Sequence, residues 1–232
     1  MSPAPMPHPS QLPLAFVGGT GPEGTGLALR FAAAGHPVIV GSRDAGRARE
    51  AAAKLAQQTP GSAVTGQDNL EAAAAAGAAF ITVPYSAQAQ LLPGLTNALD
   101  GKLVIGTVAP IVFQGGRPRP FQVPDGSAAQ EAQRLLPGAK VVAAFHHLSA
   151  GHLADLAHAL EGDVLVCGDD PEARNSVMEL VRELKDLRPV DAGELFYAGT
   201  LEALTAVLIG INRRYRTESG VSIVGLPPSP LP

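Results

Sequence analysis

The chain has 232 residues, 46% hydrophobic and 16% charged, with a formal net charge of −4. That apolar share can bury a substantial core, and the acidic balance argues against a general nucleic-acid or membrane-surface binder, which would carry a basic excess. A single cysteine, Cys167, excludes an internal disulfide framework and fits a reducing cytoplasm, and no unbroken apolar run reaches the ~18 residues of a membrane span.

Residues 1–12 carry four prolines and no lysine or arginine, so they lack a signal peptide's basic and apolar regions and read as a flexible leader. Apolar runs then alternate with alanine-rich stretches. Strands are expected at 14–18, 37–41, 63–66, 78–83, 103–108 and 140–145, and helices near 24–34, 45–57, 69–76, 87–99 and 127–136. The segment from Phe113 to Asp125, rich in Gly, Pro and Arg, reads as a loop over the carboxyl edge of the sheet. Further on, 163–167 is strand-like, and Asp170, Pro171 and Glu172 make a strong helix start. That helix should run to about Lys185, followed by an extended 188–191 and a long apolar helix over 195–215. The alternation predicts an α/β fold, a doubly wound Rossmann-type parallel sheet over 13–150. A small C-terminal α/β cap over 151–226 and a tail at 227–232 complete it.

The first strand and helix join through LAFVGGTGPEGTG, in which Gly19, Gly21 and Gly24 fit G-x-G-x-x-G. In that motif the first glycine permits the turn, the second admits a pyrophosphate to the backbone, and the third lets helix and strand pack closely. The helix amino terminus favours the phosphates. Dinucleotide units that take NAD end the second strand in a carboxylate. Here that strand ends Val40, Gly41, Ser42, Arg43, with Arg47 one helical turn on. Ser42 can donate to a 2′-phosphate, and Arg43 and Arg47 can pair with it, so the expected cofactor is NADP rather than NAD. Asp44 is the one negative charge beside this site.

Other constellations have structural explanations. His146, His147, His152 and His158 fall within thirteen residues. They lack the usual zinc-ligand spacing, and on a helix His152 and His158 would diverge, so no metal site is expected. Cys167 reads as a buried structural thiol. Asp169 and Asp170 read as helix-capping groups, and Ser149 has no nucleophile elbow around it. Arg213, Arg214 and Arg216 suit either a solvated helix carboxyl end or contact with an anionic substrate tail.

The segments VGGTGPEGTGLALRFAAAGH, VIVGSRDAGRA, VVAAFHHLSAGHLADL and VCGDDPEARNSVMELVRELKDLRPVDAG resemble the NADPH-dependent coenzyme F420 reductases. The resemblance spans about 14–226. It implies reversible hydride transfer between NADP(H) and coenzyme F420, an 8-hydroxy-5-deazaflavin, by a homodimer. It also implies that Thr20, Gly21, Pro22 and Glu23 line the pyrophosphate turn, and that Ser42, Arg43 and Arg47 hold the 2′-phosphate. Val83 and Ala109 would flank the nicotinamide ribose. His146, Leu148 and Ala150 would lie between nicotinamide and deazaflavin, with His146 the residue expected to assist the chemistry. Tyr85 stands where the family commonly has tryptophan, and His147, Leu148 and Ser149 replace a Thr-Ile-Pro-like run. Two other readings follow from the same residues. One keeps NADPH but reduces an imine, a keto acid or a flavin; the absence of lysine from 195–212 counts against its hydroxyacid-type form. The other is a non-catalytic NADP-binding redox sensor.

Overall fold

The computed structural model describes residues 12–226. Residues 1–11 of the expected leader, and the tail, lie outside the described residues. Six parallel strands form the core of one sheet: β1 (Leu14–Val17), β2 (Val38–Ser42), β3 (Val64–Asp68), β4 (Ala78–Ile81), β5 (Leu103–Gly106) and β8 (Lys140–Ala143). Their order, β3-β2-β1-β4-β5-β8, reverses direction between β1 and β4, the switch point of doubly wound folds. Strands β1 and β4 are buried along their whole length, as a sheet covered on both faces requires.

Alternation of side chains divides the core. Leu14 and Phe16 point to the layer of α1 (Pro22–Ala33), α2 (Ala45–Gln58) and α8 (Pro171–Glu183), while Ala15 and Val17 point to that of α3 (Asn69–Ala75) and α6 (Ala128–Leu135). In the first layer Phe16 stacks on Phe80 at 4.7 Å, and Phe31 of α1 meets Phe80 and Phe145 at 5.2 and 6.0 Å. Helix starts follow local capping. Asp44 accepts from the backbone of Gly46 and Arg47, Asp68 from Leu70 and Glu71, and Asp170 from Ala173, with Pro171 opening α8.

Two expectations need correction. The segment after Phe113 is not simply a loop, for β6 (Ile111–Gln114) and β7 (Arg117–Pro120) form an antiparallel hairpin. Gly115 and Gly116, at φ +56° and +74°, make its two-residue turn. The helix expected over 87–99 starts at Tyr85 and is interrupted. It runs as α4 (Tyr85–Leu91), a 3-10 turn containing Pro93, and α5 (Thr96–Leu99), because proline cannot donate to a continuing helix. The sheet expected over 13–150 is parallel throughout, and two strands of the C-terminal segment extend it. β9 (Gly162–Gly168) runs antiparallel to β8 through the pairs Val142–Gly168 and Ala143–Cys167, and β10 (Leu187–Asp191) then lies parallel to β9.

The last helix, α9 (Ala198–Tyr215), follows a 3-10 turn at Leu195–Tyr197. Together they are long and apolar enough to cross a membrane by length and composition, although no unbroken apolar run occurs. Their inner face carries buried Glu202, whose two oxygens accept the backbone N–H groups of Ala128 and Ala129 at 2.9 and 3.0 Å, capping α6 from a distance.

Buried Asp163 anchors the far edge. Its carboxylate takes a two-pronged contact from Arg188 at 2.6 and 2.8 Å and accepts the backbone N–H of Ile223 at 2.5 Å. The Arg188 hydrogen bond is the main force holding the Asp163 carboxyl below the usual carboxylate range. A carboxyl depressed on folding adds stability above its unfolded pKa and loses it as pH falls. Asp163→Asn should therefore lower stability by about 2 kcal/mol at pH 7. In urea titrations its gap from the parent should shrink steadily below about pH 4.

Candidate active site

A cleft of about 1060 Å³ opens where the strand order reverses, beyond the carboxyl ends of β1, β4 and β5. Its floor is the turn after β1. The left-handed residue there is Gly18, at φ +76°, rather than Gly19, and its N–H donates to the Asn69 side-chain Oδ1 at 3.0 Å. Gly19 is required by contact, since a Cβ there would lie 2.6 Å from the Phe16 carbonyl oxygen. A Cβ on Gly24 would sit 2.7 Å from both Gly19 Cα and Thr82 Oγ1. Gly19 and Gly24 thus lie beneath the turn. Gly21 differs: nothing stands within 4 Å of its missing Cβ, which lies at the cleft. The protein's own packing does not demand glycine at 21. The open space leaves the backbone beside the α1 amino terminus accessible from the cleft, as the approach of a pyrophosphate would need.

At one end of the cleft stand Ser42, Arg43 and Arg47. Ser42 is buried at the end of β2, and its Oγ accepts from the Asp44 backbone at 3.3 Å. The two arginines are exposed. The Asp44 carboxylate is turned into the start of α2, at 2.8 Å from Gly46 N and 3.2 Å from Arg47 N, with Arg47 Nε 4.0 Å away. The negative charge noted in the sequence is therefore directed largely at its own helix start and, more loosely, at Arg47, while Arg43 has no ion-pair partner among the described residues.

The other end gathers Glu23, Val83, Tyr85, Thr107, Ala109, His146 and Thr205. His146 follows Phe145, whose left-handed backbone (φ +68°) turns the chain from β8 toward the cleft. The Thr205 hydroxyl of α9 donates to the His146 carbonyl at 2.9 Å and holds that turn. Burial pushes the His146 imidazole down to about 3, with neighbouring His147 adding in the same direction. The ring is therefore neutral at physiological pH, with one donor and one acceptor nitrogen. Both ring nitrogens are closed to solvent, with the Ala144 and Leu201 backbone as polar neighbours, and the residue lies in the cleft wall. Tyr85 faces Phe121 of the hairpin segment at 5.6 Å, forming an aromatic wall.

Thr20 and Pro22 also line the cleft, but Leu148 and Ala150 do not. Leu148 packs on the core and borders a separate small cavity, and Ala150 begins α7 (Ala150–Ala154). Ser149 caps that helix by accepting from Gly151 and His152, which also explains its lack of a nucleophile's setting. His147 is buried, its Nε2 2.7 Å from the Asp163 carbonyl oxygen. His152 and His158 do not diverge. α7 stops at Ala154, and the chain folds back until their rings stack at 3.7 Å. Arg30 of α1 fixes this fold-back by donating to the carbonyls of His152, Leu153, Asp155 and His158. Among the described residues no group of three His, Cys, Asp or Glu is placed to hold a metal ion. Burial pushes the Cys167 thiol up to about 12, an inert core group. Arg213 is bound to the hairpin, donating to the Gly116 carbonyl and lying 4.9 Å over the Phe113 ring.

Asn69, Thr82, Thr107 and Thr205 are cleft residues that the sequence reading missed. Asn69 reaches Gly18 across 51 positions and Thr205 reaches His146 across 59, separations that no local motif encodes.

Residues 13–110 match the model of the family described as NADP oxidoreductase, coenzyme F420-dependent. The F420-dependent NADP reductase of Methanothermobacter marburgensis is 38% identical over 221 residues, 92% of this chain and 99% of that protein. The F420-dependent NADP reductase of Methanocaldococcus jannaschii is 36% identical, covering 92% and 98%. Among solved structures, an Arthrobacter sp. FB24 protein provisionally assigned as an F420-dependent NADP-reductase superposes with a TM-score of 0.79 at 25% identity, over 93% of this chain and 100% of that one. An imine reductase from Myxococcus stipitatus shares the fold, with a TM-score of 0.60 at 18% identity over 88% of this chain and 61% of that one. The likeness to the two archaeal reductases runs through both halves of the sheet and past the cleft, and the chain belongs to the F420-dependent NADP reductase family.

Proposed function

We propose that the protein is an NADP-dependent oxidoreductase that transfers hydride reversibly between NADP(H) and coenzyme F420. The observation that carries this reading is the end-to-end likeness to F420-dependent NADP reductases. The cleft supports it, with cationic side chains at one end and neutral ones at the other. Residues 13–150 serve as the NADP unit. Thr20, Gly21 and Pro22 border the pyrophosphate above Gly19 and Gly24, and Ser42, Arg43 and Arg47 take the 2′-phosphate. Val83 and Ala109 flank the nicotinamide ribose. Residues 151–226 complete the deazaflavin pocket through α9 and Thr205.

When bound, the two cofactors carry the hydride chemistry between them, and the protein supplies closeness, orientation and exclusion of water. Neutral His146 can hydrogen-bond a deazaflavin nitrogen without itself titrating, and the Tyr85–Phe121 wall shelters the same end. The protein works in the cytoplasm as a homodimer, with small molecules as its other partners. The exposed apolar side chains of Phe196, Tyr197, Val207 and Tyr215 on the last helix and the turn before it support the dimer.

Purified protein given oxidised deazaflavin should bleach its absorbance with NADPH and much more slowly with NADH; no bleaching with either would refute the reading. Arg43→Ala and Arg47→Ala should each raise KM for NADPH about tenfold, the worth of one charge-assisted hydrogen bond, and leave KM for NADH unchanged. His146→Ala should cut kcat/KM for deazaflavin by about tenfold while the NADPH Kd stays put, as expected for one lost hydrogen bond. In sedimentation runs, Val207→Glu should convert dimer to monomer.

A further inference from the structure

Glu23 is the second residue of α1, in the wall of the cleft, yet its side chain has no cationic partner. One carboxyl oxygen, Oε1, is shut off from solvent without any hydrogen-bond partner. The carboxyl reaches toward Thr107, beyond the end of β5. β5 lies two strands from β1, on the side opposite β2 and its Arg43. A dinucleotide with its pyrophosphate at the β1–α1 turn and its adenosine ribose at the end of β2 must extend its nicotinamide toward β4 and β5. Glu23 therefore aims at the nicotinamide side of the cleft.

The Thr107 hydroxyl donates to the Ile81 carbonyl at 2.9 Å. Glu23 Oε1 is closed to water and has no donor among the described residues, a setting that suits a carboxylic acid better than a carboxylate. Burial pushes the carboxyl up to about 8, against a smaller opposite pull from its contact with Thr107. Around it in the cleft are Thr82 from β4, Tyr85 from α4, Thr205 from α9 and neutral His146 after β8, while Arg43 and Arg47 occupy the far end. Glu23 is thus the group at that end whose proton is lost most readily near neutral pH. Tyr85, its phenol raised by burial and then by Glu131, holds its proton, and His146 is already neutral.

We propose that Glu23 senses the oxidation state of the nicotinamide: it releases its carboxyl proton to solvent when the ring in the cleft carries the positive charge of NADP+, and keeps that proton beside the neutral ring of NADPH. The step balances as one proton passing from the carboxyl to buffer, with no electrons moved. It rests on the proposed NADP(H) binding. By linkage, NADP+ should gain on NADPH in affinity as pH rises toward the Glu23 pKa.

The test is calorimetric titration of the wild-type protein at pH 7 with NADP+ and with NADPH, each in two buffers of different ionisation enthalpy. An acid with a pKa of about 8 is roughly nine-tenths protonated at pH 7, so NADP+ should release roughly half to one proton more than NADPH. The 2′-phosphate and pyrophosphate are common to both ligands and cancel in the difference. Glu23→Gln should abolish it, and should flatten the pH dependence of the NADP+ to NADPH affinity ratio between pH 6 and about 8, which in the parent climbs severalfold. Equal proton release by the two nucleotides in wild type would overturn the proposal without needing any variant to fold. A difference that survives in Glu23→Gln would overturn it too. Binding heat from neither nucleotide would overturn the NADP(H) reading itself, and the Glu23 assignment with it.

Discussion

The structure depends on how closely α1 can approach the sheet. Gly24 meets Gly19 and Thr82 with no room for a Cβ, and two residues on, a Cβ at Gly26 would fall 2.6 Å from the Leu153 side chain. One helix is thereby pressed against the central strands on one side and against α7 on the other. That position brings its amino terminus over the cleft and its later turn, at Arg30, within reach of the carbonyls after α7. Under the same helix the rings of Phe16, Phe31, Phe80 and Phe145 form one contiguous cluster. Bulk at 24 or 26 would push α1 off all of these contacts together. Glycine here costs intrinsic helix propensity, about 1 kcal/mol per residue, and the packing it permits offsets that cost.

The cleft is electrically divided. Its end at Ser42 is rimmed by two exposed guanidinium groups, which suits a multiply charged phosphate ligand and gives long reach to the attraction at low salt. Its other end is enclosed and favours neutral forms, an imidazole driven uncharged by burial and a carboxyl driven the same way.

Patterns that are local in the chain were legible before any coordinates. The buried strands, the Asp170–Pro171 helix start and the glycine turn each lie within one short window, where sterics and capping decide the outcome. What escaped was set by residues far apart. The antiparallel return of β9 depends on pairing across some 25 positions. Arg30 fixes the chain around residues 152–158 from more than 120 positions away, and so decides that His152 and His158 stack rather than diverge. Leu148 and Ala150 were assigned by motif position alone, and past His146 the chain leaves the cleft for the core and α7. Even the glycine motif divided its duties differently, the left-handed turn falling on Gly18 and the steric demand on Gly19.

Phe145 satisfies two masters. Its ring is fully buried in the aromatic cluster, while its backbone sits at φ +68°, a region costing a bulky residue about 1–3 kcal/mol. Glycine would relax the backbone and empty the core; any residue comfortable in the core would keep the strain. The strained peptide is therefore a spring that the packed rings hold wound, with His146 riding on its free end. Because the same rings hold the core, a substitution that trims Phe31 or Phe80 would be felt beyond the packing, in the angle at which the chain presents His146 to the cleft.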